Sequence, residues 1–242
     1  MKYARRPRPL IGLRLMYLEL TNDSLQRIHK ALEAEIGRGA RMLEKMRAGN
    51  LEAYELLLDD ECDQREDMLG VAFVACQSFI NRIRTHFVWV NRACEEDFGK
   101  QLKFFVSGRA LGKVLKCGGK IPGNTTLSLV EAIYAVGNFW KHSDEWPTCE
   151  KKSGKRLIQI WDLSRMSGQQ KATAEVVMIL GLQPGSTGNL RRASKAVGVS
   201  EYEDLSPMRQ ALSQWAQDVY ALASAQMEAV VSSSAKRRVV GK

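Results

Sequence analysis

Residues 63–93 read DQREDMLGVAFVACQSFINRIRTHFVWVNRA, and their spacing decides the fold. Leu69, Ala72, Cys76, Ile80, Ile83, Phe87 and Val90 follow one another at steps of three and four. That stepping places them in one continuous stripe on an α-helix. The spacing predicts a long helix from about Asp63 to Ala93.

The same periodicity recurs on both sides. Leu25, Ile28, Leu32, Ile36, Leu43 and Met46 define an earlier helix, with Asn22, Asp23 or Ser24 as its cap and Gly49-Asn50 as its end. Gly37 and Gly39 either weaken its middle or allow a close helix contact. A shorter, less regular segment follows at about Lys100–Val114, and residues 117–124 (CGGKIPGN) form the clearest loop. Ser128 and Glu131 then make an S-x-x-E capping box. The helix it opens carries Leu129, Ala132, Ile133 and Val136 on its apolar face, and Pro147 stops it. Leu157 to Trp161 is one short strand or a docked helix turn. Helices are expected near Lys171–Leu180 and Asn189–Val197, each followed by glycine. A last one starts at Ser206-Pro207, with Met208, Leu212, Trp215, Val219 and Leu222 as its face. The pattern is helical nearly throughout, without an internal repeat.

The chain has 242 residues and a net charge of +9, and the whole excess lies at its ends. Lys2, Arg5, Arg6, Arg8 and Arg14 sit in residues 1–14 without an acid, and Lys236, Arg237, Arg238 and Lys242 close the chain. Basic tails on a neutral body suit salt-sensitive contact with nucleic acid, or simply aid solubility. The body separates its charge as well. Residues 19–67 hold 13 acids against 7 bases, and residues 147–200 hold 9 bases against 3 acids. Opposed patches of this kind can steer a polyanion or pair two subunits.

Five scattered cysteines without a CxxC pair argue against a disulfide framework or a zinc site and fit a reducing cytoplasm. No run approaches the ~20 apolar residues of a membrane span. Arg14 interrupts the N-terminal apolar stretch, against a signal peptide, and the Arg5-Arg6 pair lacks the apolar core of a twin-arginine signal.

Residues 137–146, GNFWKHSDEW, concentrate the chemistry-bearing side chains. The chain has only three histidines, and His142 is the one set among polar partners. Its ordinary pKa near neutrality makes it the plausible general acid or base. If the helix continues, Glu131, Tyr134, Asn138 and His142 fall near one face. Asn138 would orient the ring or bind a phosphate oxygen, and Lys141 would neutralise charge. On the structural reading, Trp140 and Trp146 are core anchors, and His142, Asp144 and Glu145 close the helix end as a polar network. Arg82 and His86, four apart, form a second candidate pair, a cation beside a proton-transferring ring. His86 also flanks the apolar stripe, as a partly buried helical histidine would. His29 reads as surface or boundary. Residues 108–113 (GRALGK) fail as a phosphate loop, because the spacing is one residue short and Val114 replaces the hydroxyl. Lys151, Lys152, Lys155 and Arg156 are the basic cluster best suited to RNA phosphates.

The run Asn138-Phe139-Trp140-Lys141-His142, a polar residue, three variable ones and histidine at the end of a late helix, resembles the motif of the HEPN superfamily (higher-eukaryote and prokaryote nucleotide-binding domains). The ending Lys141-His142-Ser143-Asp144-Glu145-Trp146 looks like the KH-x-DEW of some bacterial members. The resemblance covers about Leu25 to Trp146. It implies an all-α, multihelical bundle, often a homodimer in which two motifs meet to form one RNA-cleaving site that needs no metal. It also implies a toxin–antitoxin, abortive-infection or other phage-defence setting, with a cognate antitoxin or partner protein. Where the family's motif has arginine, this chain has Gly137. Lys141, Arg82 or Arg109 would have to replace that charge.

The expected organisation is a basic segment at 1–20, a HEPN-like core at 21–147, a C-terminal helical extension at 148–231 packed on that core, and a disordered basic tail at 232–242. The expected function is an RNA-binding or RNA-cleaving cytoplasmic effector with His142, Asn138 and Lys141 as catalytic residues. Arg82, His86, Lys151, Lys152, Lys155 and Arg156 would hold RNA, and neither metal nor cofactor is required. The alternative is a non-catalytic helical interaction module whose histidine network is structural. A third possibility is an accessory protein of a phage or mobile element.

Overall fold

A computed structural model describes residues 8–102, 114–154 and 156–240, the side chains of Leu56, Arg156 and residues 234–240 excepted. The fold is all-α, with a single two-stranded sheet among the described residues. Helix α1 spans Arg8–Thr21, α2 Ser24–Gly49, α3 Leu51–Phe98, α4 Leu129–His142, α5 Gly168–Ile179, α6 Asn189–Ala196 and α7 Ser206–Val240. Strands β1 (Thr148–Ser153) and β2 (Arg156–Trp161) form an antiparallel hairpin in which Lys151 faces Ile158 and Lys152 faces Leu157.

Helix α3 is 48 residues long and starts twelve residues before Asp63, where the apolar stripe predicts its start. The reason is local. The Asn50 side chain accepts from the Ala53 backbone N–H at 3.1 Å, which caps α3 directly behind the end of α2. All seven residues of the stripe are buried. Leu157–Trp161 is a strand, and α7 continues past residue 231, where the sequence reading ends ordered structure.

The chain divides into two compact units, and α3 and α7 each contribute residues to both. The first comprises Met1–Asn22, Ser78–Gly119 and Ala211–Lys242. Its core holds Leu13 and Met16 of α1, Ile80, Ile83, Phe87 and Val90 of α3, and Leu212, Trp215 and Val219 of α7. The Trp215 indole donates to the Val114 carbonyl at 2.8 Å, and Arg8 ties the start of α1 to Glu96 and Asp97.

The second unit comprises Asp23–Gln77 and Lys120–Gln210. Here α4 packs on α5 and touches α6, and Ile133, Val136, Phe73, Ala174, Val177 and Leu190 are buried. At Gly39 of α2 a Cβ would overlap the carboxylate of Glu61 of α3, the movable end of that side chain. Among the described residues no helix is long and apolar enough to cross a membrane.

Candidate functional site

The capping box that starts α4 is complete. The Ser128 hydroxyl accepts from the Glu131 N–H at 3.0 Å, and the Glu131 carboxylate accepts from the Ser128 N–H at 3.0 Å. The helix buries Ala135 to Phe139 without interruption, exposes Lys141 and His142, and passes into a 3₁₀ turn at Ser143–Glu145. Trp146 then returns to the core. It meets Phe139 and Trp161 edge-on, with the three ring centroids 5.6 to 5.8 Å apart. That cluster anchors the base of the hairpin to the end of α4.

Gly137 faces α3. A Cβ there would lie 2.9 Å from the Phe73 carbonyl oxygen and 3.0 Å from the Gln77 Cβ. Position 137 is therefore occupied by a helix–helix contact, without room for a side chain. The next residue, Asn138, is only 9% exposed. Its Oδ1 accepts from the Gln77 side-chain amide, and its Nδ2 has no acceptor among the described residues. The Trp146 Nε1, in a residue 5% exposed, also lacks an acceptor among the described residues. An unmade buried donor costs about 1–3 kcal/mol, so two of them within nine residues require explanation. His142 is half-exposed, with Nδ1 3.4 Å from Glu145 Oε1; its Nε2 makes no hydrogen bond among the described residues.

Three clefts adjoin in this unit. A donor cleft of about 280 Å³ is lined by Asn138, His142, Glu145 and Trp146 together with the first turns of α5. An aromatic cleft of about 420 Å³ shares Trp146 with it and adds Phe139, Trp140 and Trp161, with Glu66 and Asp144 as its acids. A third cleft, about 330 Å³, shares Glu66 and is lined by Arg65, Arg191, Arg192 and Tyr202. The Arg191 guanidinium donates to the Tyr202 hydroxyl and lies 5.4 Å from the ring centroid. Glu66 accepts from the Leu190 and Arg191 N–H groups, both at 3.1 Å, and so caps α6.

Of the sequence candidates, Asn138 and His142 line one cleft, whereas Lys141 is exposed and lies outside its lining. Lys151 and Lys152 are exposed on β1, and Arg156 begins β2; Lys155, like Arg109 and the GRALGK segment, lies outside the described residues. Arg82 and His86 belong to the first unit and turn to the same acid: Arg82 Nε is 2.9 Å from Glu19 Oε2, and His86 Nε2 is 3.9 Å from Glu19 Oε1. The charge of Arg82 is thus already paired.

His29 corrects its surface reading. It is completely buried, with Nε2 3.4 Å from the Cys76 sulfur. Burial, then the nearby Arg209 charge, push its pKa down to about 4. Burial likewise raises the Cys76 thiol above its ordinary range.

Sequence reasoning misses Gln77, Arg65, Arg191 and Arg192. Gln77 sits one residue beyond Cys76 of the apolar stripe and carries no motif. It misses the start of α5 too, although Ser167 and Gln170 spell a capping box that the fold forms. Among the described residues no cluster of three or more His, Cys, Asp or Glu side chains is placed to hold a metal ion. No family model, no curated protein and no solved structure matches this chain.

Proposed function

We propose that this protein binds single-stranded RNA along the three adjoining clefts of its second unit, and that it does so without cutting it. The observation that carries the reading is their succession: guanidinium groups, then aromatic rings, then buried N–H donors. Single-stranded RNA offers phosphates, base faces and base edges to such a series. The exposed lysines of β1 add phosphate contacts. The setting implied by the HEPN resemblance, a bacterial defence or toxin-type system, accommodates an RNA-binding member.

Binding is favoured over cleavage by the packing of Gly137. An RNA-cleaving site must stabilise the charge that develops on the non-bridging phosphoryl oxygens, and a cationic side chain such as arginine is a usual means. Here its position is filled by Phe73, and no lysine or arginine lines the donor cleft among the described residues.

The test is fluorescence anisotropy of a labelled single-stranded RNA from about 50 to about 200 mM salt, with RNA integrity followed in chelator for wild type and His142→Ala. Log affinity should fall linearly with log salt while the RNA stays intact. Cutting by wild type and not by His142→Ala would establish a ribonuclease instead. No binding at the lowest salt would favour the interaction module, a reading supported by the mutual packing of Phe139, Trp146 and Trp161.

A further inference from the structure

The donor cleft is chemically one-sided. Two of its residues, Asn138 and Trp146, each hold a buried N–H group without an acceptor among the described residues. The first turn of α5 adds to this excess. Its capping box uses the N–H groups of Ser167 and Gln170. The backbone N–H groups of Gly168 and Gln169 then have no acceptor within the helix, and Gln169 lines the cleft.

Such a cleft suits an acceptor, and charge decides which kind. The ionisable groups on its lining are His142 and Glu145, paired with each other at 3.4 Å. A phosphate would meet the Glu145 carboxylate with only an imidazole to offset it. A neutral carbonyl oxygen meets the donors without that repulsion, and in uracil or guanine Glu145 can also accept the ring N–H beside the carbonyl. A volume of about 280 Å³ suits a single planar ring system better than a nucleotide chain.

We propose that the cleft between the end of α4 and the start of α5 is a subsite for one nucleobase bearing an exocyclic carbonyl: uracil, cytosine or guanine, but not adenine. The inference rests on the RNA-binding reading and gives it a base preference. Asn138 Nδ2 and Trp146 Nε1 donate to the base edge, and His142 at the mouth adds a ring nitrogen.

The experiment is an amide and indole N–H correlation spectrum of the full chain. Five tryptophans give five indole signals, and the one absent from Trp146→Phe belongs to Trp146. Uridine, adenosine and inorganic phosphate are titrated separately. Uridine should move the Trp146 signal saturably, with adenosine needing about tenfold more and phosphate leaving it in place, a discrimination of about 1.4 kcal/mol. Asn138→Asp replaces the donor with an oxygen yet can still accept from Gln77, and it should abolish the uridine shift. Gln169→Trp, an exposed substitution that plugs the cleft, should abolish it without altering the core.

Equal shifts from adenosine would overturn the carbonyl requirement, and a phosphate shift as large as that of uridine would make the cleft an anion site. A Trp146 signal unmoved by any probe would mean that these donors are not reached from the cleft and would overturn the base subsite. Salt-dependent RNA binding is measured on the same sample. If it persists with an unmoved Trp146 signal, only the base subsite fails; if it is absent too, the RNA reading fails with it.

Discussion

Replacing Gly137 with alanine should destabilise the protein, although alanine is the better helix former. The new methyl would sit 2.9 Å from the Phe73 carbonyl oxygen and 3.0 Å from the Gln77 Cβ. Carbon and oxygen approach comfortably to about 3.3–3.6 Å, so the gap must open by about half an ångström. What must move is the backbone of a buried helix, because Phe73 is completely buried and its carbonyl belongs to α3. Overpacking of this kind costs about 1–3 kcal/mol. Displacing Gln77 weakens its hydrogen bond to Asn138, a further loss of about 0.5–1.5 kcal/mol. Helix propensity returns about 0.8–1.0 kcal/mol. The net loss is about 0.5–3.7 kcal/mol, and at about 2–4 °C per kcal/mol for a chain of this size, Tm should fall by about 1–15 °C.

The matched control is Gly49→Ala at the last position of α2, where a Cβ meets nothing within 4 Å. It should leave Tm unchanged or raise it. Thermal melts followed by far-ultraviolet circular dichroism compare the two variants directly. Equal melting temperatures would refute the claim that α4 and α3 touch at Gly137. The same reasoning makes Gly137→Arg more damaging than Gly137→Ala and leaves it without ribonuclease activity. A folded Gly137→Arg that cuts RNA would show that position 137 is a lost active-site residue rather than a packing contact.

Gly70→Ala places a methyl inside the Trp140 indole and should drive that half-buried ring outward, seen as a red-shifted tryptophan emission that is absent in a Trp140→Phe background. Glu66→Ala removes the carboxylate that accepts from the first N–H groups of α6 and should cost about 1–2 kcal/mol in denaturant unfolding. Burial holds the folded pKa of His29 near 4 against an ordinary 6.5, so the unfolded chain takes up a proton that the folded one refuses. Its stability contribution is complete above pH 6.5 and declines as pH falls toward 4, by at most about 3 kcal/mol; that part of the pH dependence should vanish in His29→Gln. The double change Lys151→Glu, Lys152→Glu should lower RNA affinity and reduce the salt slope by about 1–1.5, at ~0.7 per phosphate contact on a single strand.

The helices are legible because their signals are local. The stripe from Leu69 to Val90 specifies the buried face of α3, and the Ser128–Glu131 box marks the start of α4 to the residue. The first twelve residues of α3 are not legible from apolar spacing, because the device that starts them is a single Asn50 side chain. His29 escapes for another reason. Beside Ile28 on a helix it looks peripheral, and only the packing of α2 with Cys76, Leu205 and Arg209 encloses it. The candidate site divides in the same way. Asn138 and His142 are found by their spacing, but the wall opposite them comes from Ser167 to Thr173, about thirty residues later and across the hairpin. Nothing in the sequence links the two segments. The arginine cleft likewise joins Arg65 to Arg191 and Arg192 through the fold alone.

The contact that excludes arginine at position 137 also decides what Asn138 can do. Because α4 lies directly on α3 there, Asn138 is enclosed beside Gln77, and its oxygen is taken by the Gln77 amide. Its Nδ2 has no partner among the described residues, so the residue offers a donor to whatever approaches. His142, one turn on, has Nδ1 held by Glu145, and that carboxylate also lowers the value of the site for an anion. An orienting acid beside an imidazole is a workable general base. Proton transfer, however, is only half of phosphodiester cleavage; the other half is a cation at the charged phosphoryl oxygens, and the described lining supplies none. A site with two buried donors, one poised imidazole and no guanidinium holds a neutral acceptor more readily than it stabilises a developing charge. Tight helix packing at one glycine thereby keeps a cationic side chain out of position 137 and leaves the cleft to its donors.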